Sequence, residues 1–510
     1  MNCAGQGCGD PLLVHTGAGA VRGVEVDGIR TWRGVPYGAA GRWERPHRVE
    51  WEGEWPAEEY GPVAPQTTYS LKDEVIGQES CLNLDVVRPA DDRQLPVVVY
   101  LHGGGFFSGA SHTAVLRGFG LARELGVVYV AVNFRLGALG YVDMSALGSV
   151  HGGFSQLDAN PALRDQIRAL KWVRDHIHAF GGDPNRVCVM GESAGGAAVA
   201  ALMAAPAARG LFHRAIIQSA PVMAAHSPEQ SRLWARRLVQ YSGFTPRTVR
   251  PRDMTGLPAA DVIRAGQQML WRGRGLRELN PCFGHAVDGV TLPSHPLRLF
   301  SEGAQAPVPL LIGTNSDELS AAQVLFVSRR ERARVARTAL RLHDPEGADA
   351  VERAYGDVGR RDAFARMLAD AIFWAQSVRL AELHTAVAPT WMYRFDYAPQ
   401  ALRRLGVGAM HAMELAALFG DARASKARML LGAEMDAVTH HMQAAWGAFV
   451  WGKDPGWLRY TRTTRATRIL EVHPRTEFDP RSEYRRAWEH FRMEGWTGTA
   501  ESVALPRPGR

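Results

Sequence analysis

The chain has 510 residues, of which 46% are hydrophobic and 22% charged, and a formal net charge of +7. That balance is ordinary for a globular protein in water and excludes a disordered or low-complexity chain. The positive excess is almost all scattered Arg, with Lys only at Lys72, Lys171, Lys426 and Lys453, so no dense basic run marks a nucleic-acid or membrane surface.

No stretch of 18 or more apolar residues occurs, so no membrane span is expected. A basic stretch followed by an apolar one is missing from the first residues, so no secretory leader is expected and the cytoplasm is the expected location. The five Cys, at positions 3, 8, 81, 188 and 282, are an odd and sparse set rather than a disulfide framework. Residues 1–11 are Gly-rich and expected to be disordered. No linker or repeat divides the chain, so one domain over residues 1–510 is expected, as a monomer or homodimer. No metal and no cofactor are expected.

In chain order, residues 12–36 alternate Val, Gly and polar residues as a small β-meander does. Pro96–Leu101 and Val127–Val132 are near-continuous apolar runs, the pattern of strands buried on both faces. Between them, residues 114–125 have helical potential. Leu163, Ile167, Leu170, Val173, Ile177 and Phe180 recur at helical spacing, and Gly181-Gly182-Asp183-Pro184 stops that helix. Val187–Met190 reads as a buried strand and Gly196–Met203 as a buried helix. Ala215–Ser219, Pro309–Gly313 and Thr390–Phe395 read as further strands. Residues 222–300 show helical patterns without clear strands and are expected to wall a site. This alternation predicts an α/β fold with a central, mostly parallel sheet flanked by helices.

The most informative segment is Gly191-Glu192-Ser193-Ala194-Gly195, between the Val187–Met190 strand and the following helix. A Ser bracketed by Gly at a strand-to-helix turn is the nucleophile-elbow pattern, which exposes a hydroxyl at a helix N-terminus. An exposed Ser needs a base to take its proton and a carboxylate to orient that base, here expected in the chain order Ser, acid, His. Glu318, in Ile312-Gly313-Thr314-Asn315-Ser316-Asp317-Glu318 where an apolar strand ends and enters a loop, is the expected acid, with its neighbour Asp317 as the alternative. His411, after the Gly406–Gly408 loop and before a helix, is the expected base. His440-His441 is the alternative, but it sits inside a helical pattern that faces solvent. His102-Gly103-Gly104-Gly105-Phe106 follows a buried strand, and Gly104, Gly105 and Ala194 are expected to offer the amides of an oxyanion hole.

Taken together the chain resembles the type-B carboxylesterases, the cholinesterase-like branch of the α/β-hydrolases, over about residues 14–488. The resemblance is carried by Arg33-Gly34-Val35-Pro36-Tyr37, Gly61–Gln66, Glu79–Leu84, Asn133–Gly137, Asp165-Gln166, Phe180–Pro184, Gln218-Ser219-Ala220, Val287-Asp288-Gly289 and the His411 segment. It implies an α/β-hydrolase fold of the bacterial cytosolic esterase type. It also implies a small-molecule ester as substrate, and Ser193, Glu318 and His411 as nucleophile, acid and base. Glu192 and Ser219 match positions that steady the acid and base in the family, and Glu414 matches a recurrent acidic residue of structural role. Leu319 and Ala220 stand where the family usually has Gly, and Ala159–Gln166 departs from a usual Gly-containing stretch. Cys81 has no nearby Cys to pair with. Amide or carbamate hydrolysis by the same residues is the alternative activity, and a non-catalytic binding protein a more distant one. Phe106, Phe107, Trp271, Phe283 and Phe326 are candidate pocket walls, with a place in the core as the equal alternative for each.

Overall fold

Leu95–Leu101 is buried at every residue and lies in the interior of the main sheet. In the computed structural model, residues 10–68, 74–149, 151–272, 278–324, 328–420, 432 and 434–494 are described. The sheet strands, in chain order, are β1 (Val24–Val26), β2 (Ile29–Pro36), β3 (Asn83–Pro89), β4 (Leu95–Leu101), β5 (Val128–Val132), β6 (Gly182–Glu192), β7 (Arg214–Gln218), β8 (Leu310–Asn315), β9 (Thr390–Phe395), β10 (Ala466–Leu470) and β11 (Arg475–Phe478). Their spatial order is β11-β10-β9-β8-β7-β6-β4-β5-β3-β2-β1. The seven strands from β5 across to β10 pair in parallel, and antiparallel strands complete both edges. The sheet is therefore the mostly parallel, helix-flanked one of an α/β-hydrolase fold, with the N-terminal meander at one side.

Successive side chains of a strand point to opposite faces, and β4 shows it directly. Val97, Val99 and Leu101 join one apolar core with helices α1 (Pro161–His176) and α2 (Ala194–Ala204). Val98 and Tyr100 join a second core on the other face, with the helices Phe119–Leu125 and Met435–Val450. Helix α2, Ala-Gly-Gly-Ala-Ala-Val-Ala-Ala-Leu-Met-Ala, is buried at every residue, which accounts for its having no polar side. Cys81, Cys188 and Cys282 are buried free thiols; Cys3 and Cys8 lie outside the described residues.

The parallel registers bring several strand ends to one edge. Gly191 pairs with Leu101, Glu192 with Gln218, and Gln218 with Gly313. The loops after β4, β6, β7 and β8 therefore open on the same side, at the carboxyl ends of the strands, where α/β sheets place their sites. Residues 222–300 contain the helices Pro228–Tyr241, Pro251–Thr255, Ala259–Arg272 and Pro296–Ser301. Two short strands, Ala225–His226 and His285–Ala286, pair in parallel within this region; its sequence pattern shows no strand there. No helix among the described residues is long and apolar enough to cross a membrane.

Candidate active site

Ser193 sits between β6 and α2 with φ 56° and ψ −124°, a backbone conformation that L-residues rarely adopt. The turn closes only because its flanks lack side chains. A Cβ at Gly195 would lie 1.9 Å from the Leu101 carbonyl oxygen, and one at Gly191 would lie 2.4 Å from that of Gly195. The Ser193 amide donates to the Gln218 carbonyl at 2.9 Å, tying the turn to β7.

The Ser193 hydroxyl meets His411, with Oγ 2.9 Å from Nε2. On the other side of the ring, Nδ1 is 2.6 Å from Glu318 Oε2. A carboxylate on Nδ1 holds the ring proton there and leaves the Nε2 lone pair for the hydroxyl. Glu318 is buried; its second oxygen accepts the Asn315 amide at 2.8 Å. Asn315 also donates its side-chain amide to the Met410 carbonyl at 2.8 Å and to Glu414 Oε2 at 2.6 Å. The end of β8 is thus stapled to the His411 segment. Asp317 is exposed and turns away, accepting the Ala409 amide at 3.1 Å. His440 and His441 lie on the helix Met435–Val450, His440 exposed and His441 half-buried.

Glu192 and Glu414 add two more buried carboxyl groups. Glu192 Oε1 lies 3.2 Å from His411 Nε2. Burial, reinforced by Glu414 and Glu318 and opposed by His411, pushes Glu192 above the usual carboxylate range. Burial and then Glu318 push Glu414 upward, against the hydrogen bond from Asn315. For His411, burial opposes the proton, but Glu192 and Glu318 outweigh it and raise the imidazole above its ordinary value. These protons are linked, because a proton on Glu192 removes one of the charges that hold His411 up. Ser219 is buried with its own left-handed backbone, φ 47°. Its hydroxyl makes no hydrogen bond among the described residues, so it is near the site but not bonded to Glu318 or His411.

The His102–Phe106 segment is braced by residues far away in sequence. Gln66 closes a pair of hydrogen bonds with Gly109, donating to its carbonyl at 2.9 Å and accepting its amide at 2.8 Å. The Phe107 and Ser108 amides turn back onto the Gly104 carbonyl, and the Gly137 amide donates to Phe106 O at 2.7 Å. Gly104 has φ 113°, and a Cβ there would lie 2.0 Å from the Ser108 carbonyl oxygen. Among the described residues, the amides of Gly104, Gly105 and Ala194 donate to no protein acceptor. Below the loop, Arg135 grips the buried Asp165 with two hydrogen bonds, at 2.8 and 2.7 Å. Tyr37 donates to the Asn133 carbonyl at 2.7 Å, and Asp85 accepts the Gly34 amide at 2.8 Å.

Of the candidate pocket aromatics, Phe107 and Phe283 lie together with ring centroids 6.4 Å apart. Phe106 is buried against Tyr141 and His285. Trp271 is 70% exposed, with its indole N–H donated to Gln267, and lines no enclosed wall. Phe326 lies outside the described residues. Phe373, absent from those candidates, stacks on the His411 ring at 4.6 Å between centroids. No cluster of His, Cys, Asp and Glu suited to a metal ion occurs among the described residues.

The model of the carboxylesterase family matches residues 10–485. The chain belongs to the carboxylesterase family. It is 34% identical to the para-nitrobenzyl esterase of Bacillus subtilis (strain 168), over 93% of this chain and 98% of that protein. It is 32% identical to a probable N-octanoylanthranilate hydrolase of Rhodococcus erythropolis, over 89% of this chain and 96% of that protein. Among solved structures, a PNB esterase superposes with a TM-score of 0.83 at 33% identity, covering 94% of this chain and 99% of the other. As a member of the carboxylesterase family the protein is a carboxylic ester hydrolase.

Proposed function

We propose that this carboxylesterase works through a covalent acyl-enzyme, with Ser193 as nucleophile, His411 as general base and acid, and Glu318 as the acid that orients it. The observation that carries this reading is the unbroken hydrogen-bonded line from Glu318 through His411 to Ser193, at 2.6 and 2.9 Å. The Ser193 proton passes to His411 Nε2 as Oγ attacks the ester carbonyl carbon. The carbonyl oxygen becomes an oxyanion, and the unengaged amides of Gly104, Gly105 and Ala194 are its donors. Each such donor is worth roughly 3 kcal/mol of transition-state stabilisation. Collapse expels the alcohol, which takes the proton from His411. Water then repeats the sequence on the acyl-Ser193 ester, and the carboxylic acid leaves. Glu192, 3.2 Å from Nε2, supports the imidazolium formed in each step. Nothing in this cycle calls for a metal or cofactor.

The substrates in this reading are small, uncharged esters, because the site already holds three buried carboxyl groups and has apolar neighbours in Phe107, Phe283 and Phe373. A second reading, N-acyl substrates, is favoured by the likeness to a probable N-octanoylanthranilate hydrolase. Matched p-nitrophenyl esters and p-nitroanilides of increasing acyl length separate the two. Ester turnover with a p-nitrophenol burst equal to the enzyme present supports the acyl-enzyme reading. Faster turnover of the anilides supports the second, and activity that survives in S193A contradicts both.

A further inference from the structure

The face of His411 that the proposed chemistry leaves unused is covered by Phe373, with ring planes 28° apart. Phe373 belongs to a single π-turn, Asp370–Trp374, set between the helices Arg361–Ala369 and Ala375–His384. A π-turn packs an extra residue into the helix at a cost in regular hydrogen bonding, and such turns gather at functional sites. This one is clamped at both ends.

At its start, Asp370 accepts Arg481 Nη1 at 2.9 Å and Nη2 at 2.5 Å, and also the Tyr355 hydroxyl. The Arg481 guanidinium lies 4.4 Å over the Trp374 ring. Beyond its end, Gln376 is buried, donates to the Ala371 carbonyl at 2.6 Å and accepts the Met223 amide at 2.6 Å. Met223 follows the Gln218-Ser219-Ala220 segment at the end of β7, so Gln376 ties the π-turn to the edge that carries the site. None of these clamping side chains hydrogen-bonds to Ser193, Glu318 or His411 among the described residues. Their common product is the placement of Phe373.

Hydrogen bonds at Nδ1 and Nε2 act at the edge of the imidazole and leave it free to tilt about the line between them. A flat ring stacked on its face removes that freedom. We propose that Phe373 is a positioning residue, held by the clamped π-turn against the imidazole so that Nε2 stays aimed at Ser193 Oγ. The inference rests on His411 acting as the base. It differs from two plainer roles for the same ring, as a wall that selects bulky substrates and as core filling.

The test compares F373L, which keeps apolar bulk but loses the flat face, with F373Y, which keeps the ring. A third variant, Q376E, can still accept from Met223 but cannot donate to Ala371. Each preparation is titrated with an organophosphate, so that rates are per reactive Ser193, and assayed on p-nitrophenyl acetate, too small to need a pocket wall. F373L is expected to lose about tenfold in kcat with KM little changed, because small misplacements of a reacting group are costly. Q376E is expected to lose kcat in the same direction, and F373Y to stay near the wild type. Unchanged kcat on acetate with altered KM for longer esters makes Phe373 a wall and overturns the proposal. A lowered melting temperature with unchanged kcat per titrated site makes it core filling and overturns it too. Should the wild type take up no organophosphate at Ser193, the reading beneath the proposal fails instead.

Discussion

Glu318 holds His411 at two points: its carboxylate accepts the hydrogen bond of the ring Nδ1–H at 2.6 Å, and its backbone carbonyl accepts the His411 amide at 3.2 Å. Ring and main chain are therefore placed by the same residue. The site depends on where the end of β8 lies as much as on the charge of one side chain.

The first prediction separates Glu318 from its neighbour. E318Q is expected to cost orders of magnitude in kcat, because an amide no longer fixes the tautomer of His411 or stabilises its cation. D317N should stay within a few-fold of wild type, since Asp317 is exposed and bonded to the Ala409 amide instead. Steady-state rates of the two variants on one ester decide it, and a reversed order would mean the wrong carboxylate has been assigned.

Groups that act as a unit are not additive when removed. S193A and H411A should each cost several orders of magnitude in kcat, and the double variant little more. A double variant slower by the product of the two single losses would show that they act independently.

The pH dependence follows from the carboxyl groups around His411. A base must be unprotonated, and Glu192 and Glu318 make His411 hold its proton more tightly than free imidazole, whose pKa is about 6.5. kcat/KM should therefore fall on acidification through an apparent pKa above about 6.5. E192Q removes one of the raising charges, so its acid limb should move to lower pH. A limb that stays put in E192Q, or moves up, contradicts the assigned electrostatics.

Leu319 is half-buried next to Glu318 and packs against the main core. An added isobutyl group takes up space in a packed site. L319G is expected to raise kcat/KM for bulky esters relative to small ones by ~10-fold, about 1.4 kcal/mol. The melting temperature of the same variant supplies the contrast. A lower melting temperature with an unchanged selectivity ratio would make Leu319 a core residue only.

The parts of the molecule legible in the sequence are those where one local rule dominates. β4 and β6 announce themselves as apolar runs, and the Ser193 turn by glycines that nothing larger can replace. β3 is harder to read, because Asn83, Asp85 and Arg88 interrupt its apolar pattern. All three are buried to serve other segments: Asp85, for example, accepts the Gly34 amide and the Ser111 hydroxyl. The pairing of Glu318 with His411 could be expected only from chain order. Asn315, which joins Glu318, Glu414 and the Met410 carbonyl, gives no local sign of that work. Phe373 is hidden more deeply, since an aromatic residue in an apolar helix reads as core. It meets His411 from within a π-turn, a feature that no residue pattern marks.

The most direct measurement is the site of covalent modification. Purified protein treated with an organophosphate and digested should carry one adduct, on Ser193 in the peptide containing Gly191–Gly195, with full loss of esterase activity in proportion to labelling. EDTA should change neither the rate of labelling nor the activity. An adduct on another residue with Ser193 unmodified, or activity lost to the chelator, would contradict the account.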